Sequence, residues 1–235
     1  MLQVHTLSAI QDETISYWKA EVKKPEIRAI AQGKEMGHKL ADLVDEKTTA
    51  LLTIKHLVKH QVDSRGRRRT RSMGDLWLHE RGIYHPVNVK TGIVGAEGQP
   101  NLVSLKKVIG AIMARQIDAY YLLIVKMLVE PGHIVPSVFL VDMLDWLDYV
   151  TFDSGPGQMM LKAAKFFAEC NTRKSPTLSI KEKLARLMDL YQDGERRLME
   201  NRARDVKRYN SLFEEFMSRR EVAVTTQTQE ALHLQ

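Results

Sequence analysis

Apolar residues in the first quarter of the chain recur at three- and four-residue steps. In "GKEMGHKLADLVDEKTTALLTIKHLVKH", Met36, Leu40, Leu43, Val44, Leu51, Ile54, Leu57 and Val58 follow that spacing. The pattern predicts helices from Gln3 to about His60, one of them opened by Pro25, since a first helical turn has no use for the missing N–H. After a break at 64–71 the period changes. "DLWLHE" and "IYHPVNVKTGIV" read as two strands with "RG" at the turn, and Pro86 belongs at an edge or bulge because it cannot donate to a ladder. "GAEGQPN" (95–101) reads as a loop by its glycines and proline. Helical spacing returns in "LVSLKKVIGAIMARQI", through Leu102, Leu105, Val108, Ile109, Ile112 and Met113. "AYYLLIVKMLVE" is nearly all apolar over a strand's length, which predicts a strand covered on both faces. "PGHIVPSVFLVDML" reads as a turn and a further strand, "SGPGQ" as a break and "MMLKAAKFFAEC" as a short helix. A charged helical stretch runs from Thr177 to about Arg220 with Gly194 as its weak point, and 221–235 shows no clear periodicity.

Helices, then strand–strand–helix–strand–strand, then helices again predict an α/β fold: a mixed sheet flanked by helices, with a long helical C-terminal region. The expected organisation is a core with N-terminal helices over 1–175, a helical arm over 176–220 and a tail over 221–235. At 235 residues the chain is long enough to bury a sizeable core. No window of apolar residues is long enough to span a membrane. The polar N-terminal stretch lacks the apolar centre of a signal peptide. Cys170 is the only cysteine, which excludes an intrachain disulfide and a cysteine-built zinc site. A cytoplasmic protein is the expectation.

Charge changes this picture in one place. The net charge is +6, but "SRGRRRTRS" (64–72) holds five arginines, Arg65, Arg67, Arg68, Arg69 and Arg71, and no acid. Such a block is either a solvated loop or a site for polyanions, because counterion release from phosphates rewards clustered cations. It lies directly ahead of "GDLWLHERGIYHPVNVKTG" (74–92), where the candidate chemistry is.

On a strand, Asn88 and Lys90 point one way and Val89 the other. With Asp75 at the start of the neighbouring strand, a carboxylate, an amide and an amine converge. That is a salt-bridged strand end, or it is a site for a metal ion and a phosphate. Asp75, an oxygen of Asn88 and the Val89 carbonyl would form a partial shell for Mg²⁺, which prefers oxygen ligands. Lys90 would then lie beside an attacking water, as a fixed positive charge. Asn101, Ser104, Lys106 and Lys107 open the helix that follows, where free amides can meet a phosphate, although ordinary surface polarity explains them equally well. Trp18, Trp77, Tyr84 and Trp146 read as core or interface aromatics, and His79 and His85 as structural histidines.

"GDLW…PVNVKTG", preceded by "ADLVDE" and followed by a helix and a buried strand, resembles the PD-(D/E)XK nuclease superfamily. Within it the likeness is to type II restriction endonucleases whose lysine is followed by threonine, as in Lys90-Thr91. It covers roughly residues 35 to 145. The resemblance implies a restriction-endonuclease-like core, Asp75 as principal Mg²⁺ ligand, Lys90 as catalytic lysine, and an acid from the preceding helix. Asp42, Asp45 and Glu46 are the candidates, and Glu46 is preferred because it shares a helical face with Asp42. Two departures stand out: Gly74 replaces the family's proline, and Asn88 replaces its usual acid and so brings no negative charge.

The function expected is Mg²⁺-dependent cleavage of double-stranded DNA at a palindromic site by a homodimer. The rivals are a non-catalytic DNA-binding module on a nuclease-like fold and a repair or recombination nuclease.

Overall fold

A computed structural model of the chain describes residues 4–32, 36–55, 73–80, 83–93, 100–153, 157–170 and 177–232. Three helices come first: α1 (Val4–Glu21), α2 (Pro25–Gln32) and α3 (Met36–Lys55). Pro25 opens α2, as the sequence suggests. The hairpin follows, β1 (Leu76–Glu80) and β2 (Ile83–Ile93), antiparallel with Leu76 opposite Val87 and Glu80 opposite Ile83. The chain then passes through β3 (Asn101–Ser104) and α4 (Leu105–Met113) to β4 (Tyr121–Glu130). β4 lies parallel to β2, an arrangement that needs a crossover of this length. β5 (His133–Asp142) returns antiparallel to β4, giving a mixed sheet of order β1-β2-β4-β5.

Pro86 sits opposite Trp77, one residue before the β2–β4 ladder begins at Val87 and Tyr121. Its missing donor therefore faces the side where no strand is paired, and the ladder loses nothing.

Both faces of the sheet are covered, which is why β4 reads as a continuous apolar run. Tyr121, Leu123, Val125 and Met127 join Val87, Val89 and Ile93 against Ile10, Trp18, Ile27, Leu40, Val44 and Leu52 of the N-terminal helices. Leu122 and Ile124 pack the other way, among Leu105, Val108, Ile112, Trp146, Tyr149 and Phe166. Trp18 and Trp146 are buried as expected, and the Trp18 indole donates to the Thr48 hydroxyl at 2.9 Å, tying α1 to α3.

Three expectations are corrected here. Asn101–Ser104 is a strand, not a loop end running into a helix, and α4 starts only at Leu105. Gln158–Leu161 forms β7, so the helix expected there is confined to α5 (Ala163–Glu169). With β6 (Val150–Asp153) these make a second sheet of order β3-β7-β6. Strands of four residues are too short for alternation to outweigh the helical spacing beside them. Finally, α6 runs from Ile180 to Leu232, through most of the stretch without clear periodicity.

The chain divides into residues 1–191 and 192–235, so the opening turns of α6 belong to the first unit. There Leu187 is buried, and the Lys183 ammonium lies 2.6 Å from Asp142 and 3.3 Å from Asp145. No helix among the described residues is long and apolar enough to cross a membrane.

Candidate functional site

Asp75 immediately precedes β1. Its N–H donates to the Val87 carbonyl at 3.0 Å, and its carboxylate accepts the Val89 N–H at 2.9 Å. A side chain thus takes over as acceptor where β1 has no further backbone to offer β2. Both polar groups of one strand residue leave the same edge, so the Val89 carbonyl emerges on the Asp75 side. The Lys90 ammonium stands 4.0 Å from the same Asp75 oxygen.

Gly74 holds this corner. A Cβ there would lie 2.8 Å from both the Leu76 oxygen and the Val87 nitrogen, and 3.0 Å from the Pro86 side chain. Two of those neighbours are backbone and cannot swing away. Glycine at position 74 is therefore a local requirement, since any residue with a Cβ, proline included, would meet those atoms.

Asn88 lies on the Lys90 face of β2 and is 5% exposed. Its amide nitrogen donates to the Tyr120 hydroxyl at 2.7 Å and to the Leu102 carbonyl at 3.3 Å. A carbonyl can only accept, which settles the orientation of the amide. The oxygen Oδ1 is then turned away from both partners, buried, and without a hydrogen bond among the described residues. Tyr120 is fully buried, and burial pushes its hydroxyl pKa up, with the Asp75 charge adding to the shift and the Asn88 bond opposing it.

The fourth group comes from α3. Thr91, which like Val89 faces the N-terminal helices, donates its hydroxyl to Asp45 at 2.6 Å, with the Ala41 carbonyl 3.3 Å away. Burial raises the Asp45 pKa above the ordinary carboxylate range. The Thr91 bond and the Lys90 charge pull it back, while Asp75 and Asp42 push it further up. Asp42 and Glu46 do share a face, but it is the exposed one. The structure brings Asp45, not Glu46, against the sheet.

Other candidates are placed as follows. Arg65, Arg67, Arg68, Arg69 and Arg71 lie outside the described residues. Asn101 is exposed at the start of β3, opposite Met160, and does not open a helix. Ser104 precedes α4, whose first N–H, from Leu105, is taken by the Gly157 carbonyl. The Lys106 ammonium stands over the Tyr191 ring, 5.3 Å from its centre. His85 is buried with Nδ1 3.2 Å from Asp118.

Set against known protein families and against curated proteins, the chain matches none.

The residues assembled are two carboxylates, an amide oxygen, a lysine and a strand-edge carbonyl. Among the described residues no three His, Cys, Asp or Glu side chains are grouped as metal ligands. The set nonetheless suits a hard divalent cation, which takes amide and carbonyl oxygens as readily as carboxylates. The buried Oδ1 is the observation that counts. A surface Asp–Lys pair contributes about 0–1 kcal/mol and explains itself. A buried acceptor left unmade costs about 1–3 kcal/mol, which a purely structural strand end has no reason to bear.

Sequence reasoning weighed Asp45 but preferred Glu46, gave Thr91 no role beyond the resemblance, and missed Tyr120. The signal for Asp45 was present: Leu40, Ala41, Val44, Thr48 and Leu52 mark the inner face of α3, and Asp45 follows Ala41 by one helical turn. Tyr120 carried no signal, because its hydroxyl meets Asn88 only after β4 is laid beside β2.

Proposed function

We propose that this chain is a Mg²⁺-dependent endonuclease of the type II restriction kind, cutting double-stranded DNA as a homodimer on a PD-(D/E)XK-like core. One observation carries the reading. A β-hairpin presents Asp75 4.0 Å from Lys90, with the unpartnered Asn88 oxygen on the same face of the strand as that lysine. Helix α3, the hairpin, α4 and the parallel strand β4 succeed one another in the order that the resemblance implies.

Asp75, the Asn88 oxygen and the Val89 carbonyl are the groups that would hold the cation, with Asp45 behind them. Bound there, Mg²⁺ supplies an acidified water and neutralises charge on the scissile phosphate. The chain's own residues supply position and field. The Val89 N–H fixes the Asp75 carboxylate, and Tyr120 with the Leu102 carbonyl fixes the Asn88 amide. Lys90 holds a positive charge where the incoming oxygen and the phosphate become more negative. Arginines 65–71 precede Asp75 directly in sequence and would bind the flanking phosphates.

A second reading, a non-catalytic DNA-binding module on the same core, is favoured by one feature. Asn88 leaves the ligand set one negative charge short. Incubation with supercoiled plasmid in Mg²⁺ separates the possibilities. Discrete linear fragments are the expected product. Smearing or structure-dependent nicking would instead indicate a repair-type nuclease, and binding without any cleavage would establish the module.

A further inference from the structure

Beyond Tyr191 the helix α6 carries an apolar face that nothing in its own unit covers. Met199, Val206, Tyr209, Leu212, Phe213, Phe216 and Met217 are 41–68% exposed. Met199, Val206 and Phe213 form one row at seven-residue steps, and Tyr209 and Phe216 form a second row between them. This is the a and d spacing of a coiled-coil seam, widened by Leu212 on one flank and Met217 on the other. The outer positions are polar: Glu200, Arg204, Lys207, Arg208, Ser211, Glu214, Glu215 and Ser218. Aromatic side chains bury about 150–250 Å² each and the aliphatic ones somewhat less, and 41–68% of each remains open to a partner here. The seven together therefore offer on the order of 800 Å², about one partner's share of a standard interface.

We infer that this face binds the same face of a second copy of the chain, with the two helices antiparallel and crossing at the level of Ser211. That alignment sets Val206 opposite the partner's Phe216 and Tyr209 opposite the partner's Phe213, a with d throughout. Leu212 meets the partner's Leu212 beside the axis, and Ala203 meets the partner's Met217. Charge selects this direction. Residues 202–208 hold Arg202, Arg204, Lys207 and Arg208 against Asp205 alone, whereas Glu214 and Glu215 sit farther along. Antiparallel pairing lays the basic segment beside the partner's Glu214 and Glu215, and brings Asp205 beside the partner's Arg219. Parallel pairing would put Arg202 against the partner's Arg202 in the seam and lay each charged segment beside its own kind. The contact uses none of the groups around Asp75, so it stands or falls independently of the proposed chemistry.

The test is the oligomeric state of the full chain by sedimentation equilibrium, without DNA or metal. The expected species is a dimer. Phe213→Glu should raise its dissociation constant at least about 100-fold, as loss of a central anchor does. Because Phe213 is exposed in the single chain, the variant should still fold, and its melting temperature should equal that of wild type diluted below its dissociation constant. Arg219→Glu should weaken the dimer, and adding Asp205→Lys should restore it. Direction is read by oxidation in a Cys170→Ser background. Leu212→Cys should cross-link to itself, and Val206→Cys should do so only when mixed with Phe216→Cys. A monomeric wild type, a dimer indifferent to Phe213→Glu, or self-cross-linking of Val206→Cys alone would each overturn the inference.

Discussion

Asn88 is the residue whose chemistry is most constrained. Its nitrogen must donate to an acceptor that has no proton to give, the Leu102 carbonyl, while its oxygen is left for something else. An aspartate in its place would set a carboxylate oxygen 3.3 Å from that carbonyl unless the acid were protonated. Asn88→Asp therefore does not simply add a negative ligand. It should destabilise the fold by about 1–3 kcal/mol at neutral pH. Burial beside the Leu102 carbonyl should favour the protonated form of the new carboxyl in the folded chain, raising its folded pKa above the unfolded one. Its contribution is thus favourable below the unfolded pKa and lost as pH rises through the folded one. Urea midpoints should diverge from wild type at mildly alkaline pH and converge in mild acid. Equal midpoints at both would mean that the Leu102 bond is immaterial. Asp45 makes a second case. Removing the hydroxyl with Thr91→Val takes away the bond that holds the raised Asp45 pKa down, so the acid limb of the cleavage profile should move to higher pH. An unmoved limb would detach Asp45 from the reaction. Asp75 and Lys90 are legible in sequence because strand parity and one turn bring them together. Tyr120 and Leu102 are not, since they reach Asn88 across 32 and 14 residues of chain.

At the scale of elements, the hairpin corner and α4 give opposite expectations for the same substitution. Gly74→Ala drives a Cβ into two backbone atoms at 2.8 Å, so β1 must shift and Asp75 with it. The melting temperature should fall and cleavage should drop further than the stability loss explains. Gly110→Ala, inside α4 with nothing within 4 Å of the new Cβ, should stabilise by about 0.5–1 kcal/mol. Differential scanning calorimetry on the pair reads both signs, and a harmless Gly74→Ala would remove the packing basis of the corner. Long elements are visible in sequence because their periods repeat. β4 is recognisable as a strand buried on both faces, and α3 as an amphipathic helix. The small sheet of β3, β6 and β7 is hidden, because each strand has only four residues and the central β7 pairs on one side with β3, far away in the chain. The same limit explains Glu46. A helical wheel shows that Asp42 and Glu46 share a face, but only the buried row shows that the face looks outward.

At the scale of the whole molecule, a sheet covered on both sides exposes the chemistry of the hairpin only at its edge, where Asp75 is about half exposed. Binding and cleavage should therefore be separable. On the proposed function, DNA binding would rest on many phosphate contacts, so the loss of one cation would cost about one contact. Cleavage by the proposed site would rest on few groups, so the loss of one would act on the transition state itself. The decisive measurement is paired on Asp75→Ala and Lys90→Ala: gel-shift affinity for DNA in Ca²⁺, and single-turnover cleavage in Mg²⁺. A partly exposed strand-end substitution costs about 1 kcal/mol or less, so both variants should stay folded by circular dichroism. The expected result is wild-type cleavage of DNA, none by Asp75→Ala, and a loss of several orders of magnitude with Lys90→Ala, while affinity stays within a few-fold. Cleavage at the wild-type rate by either folded variant would contradict it.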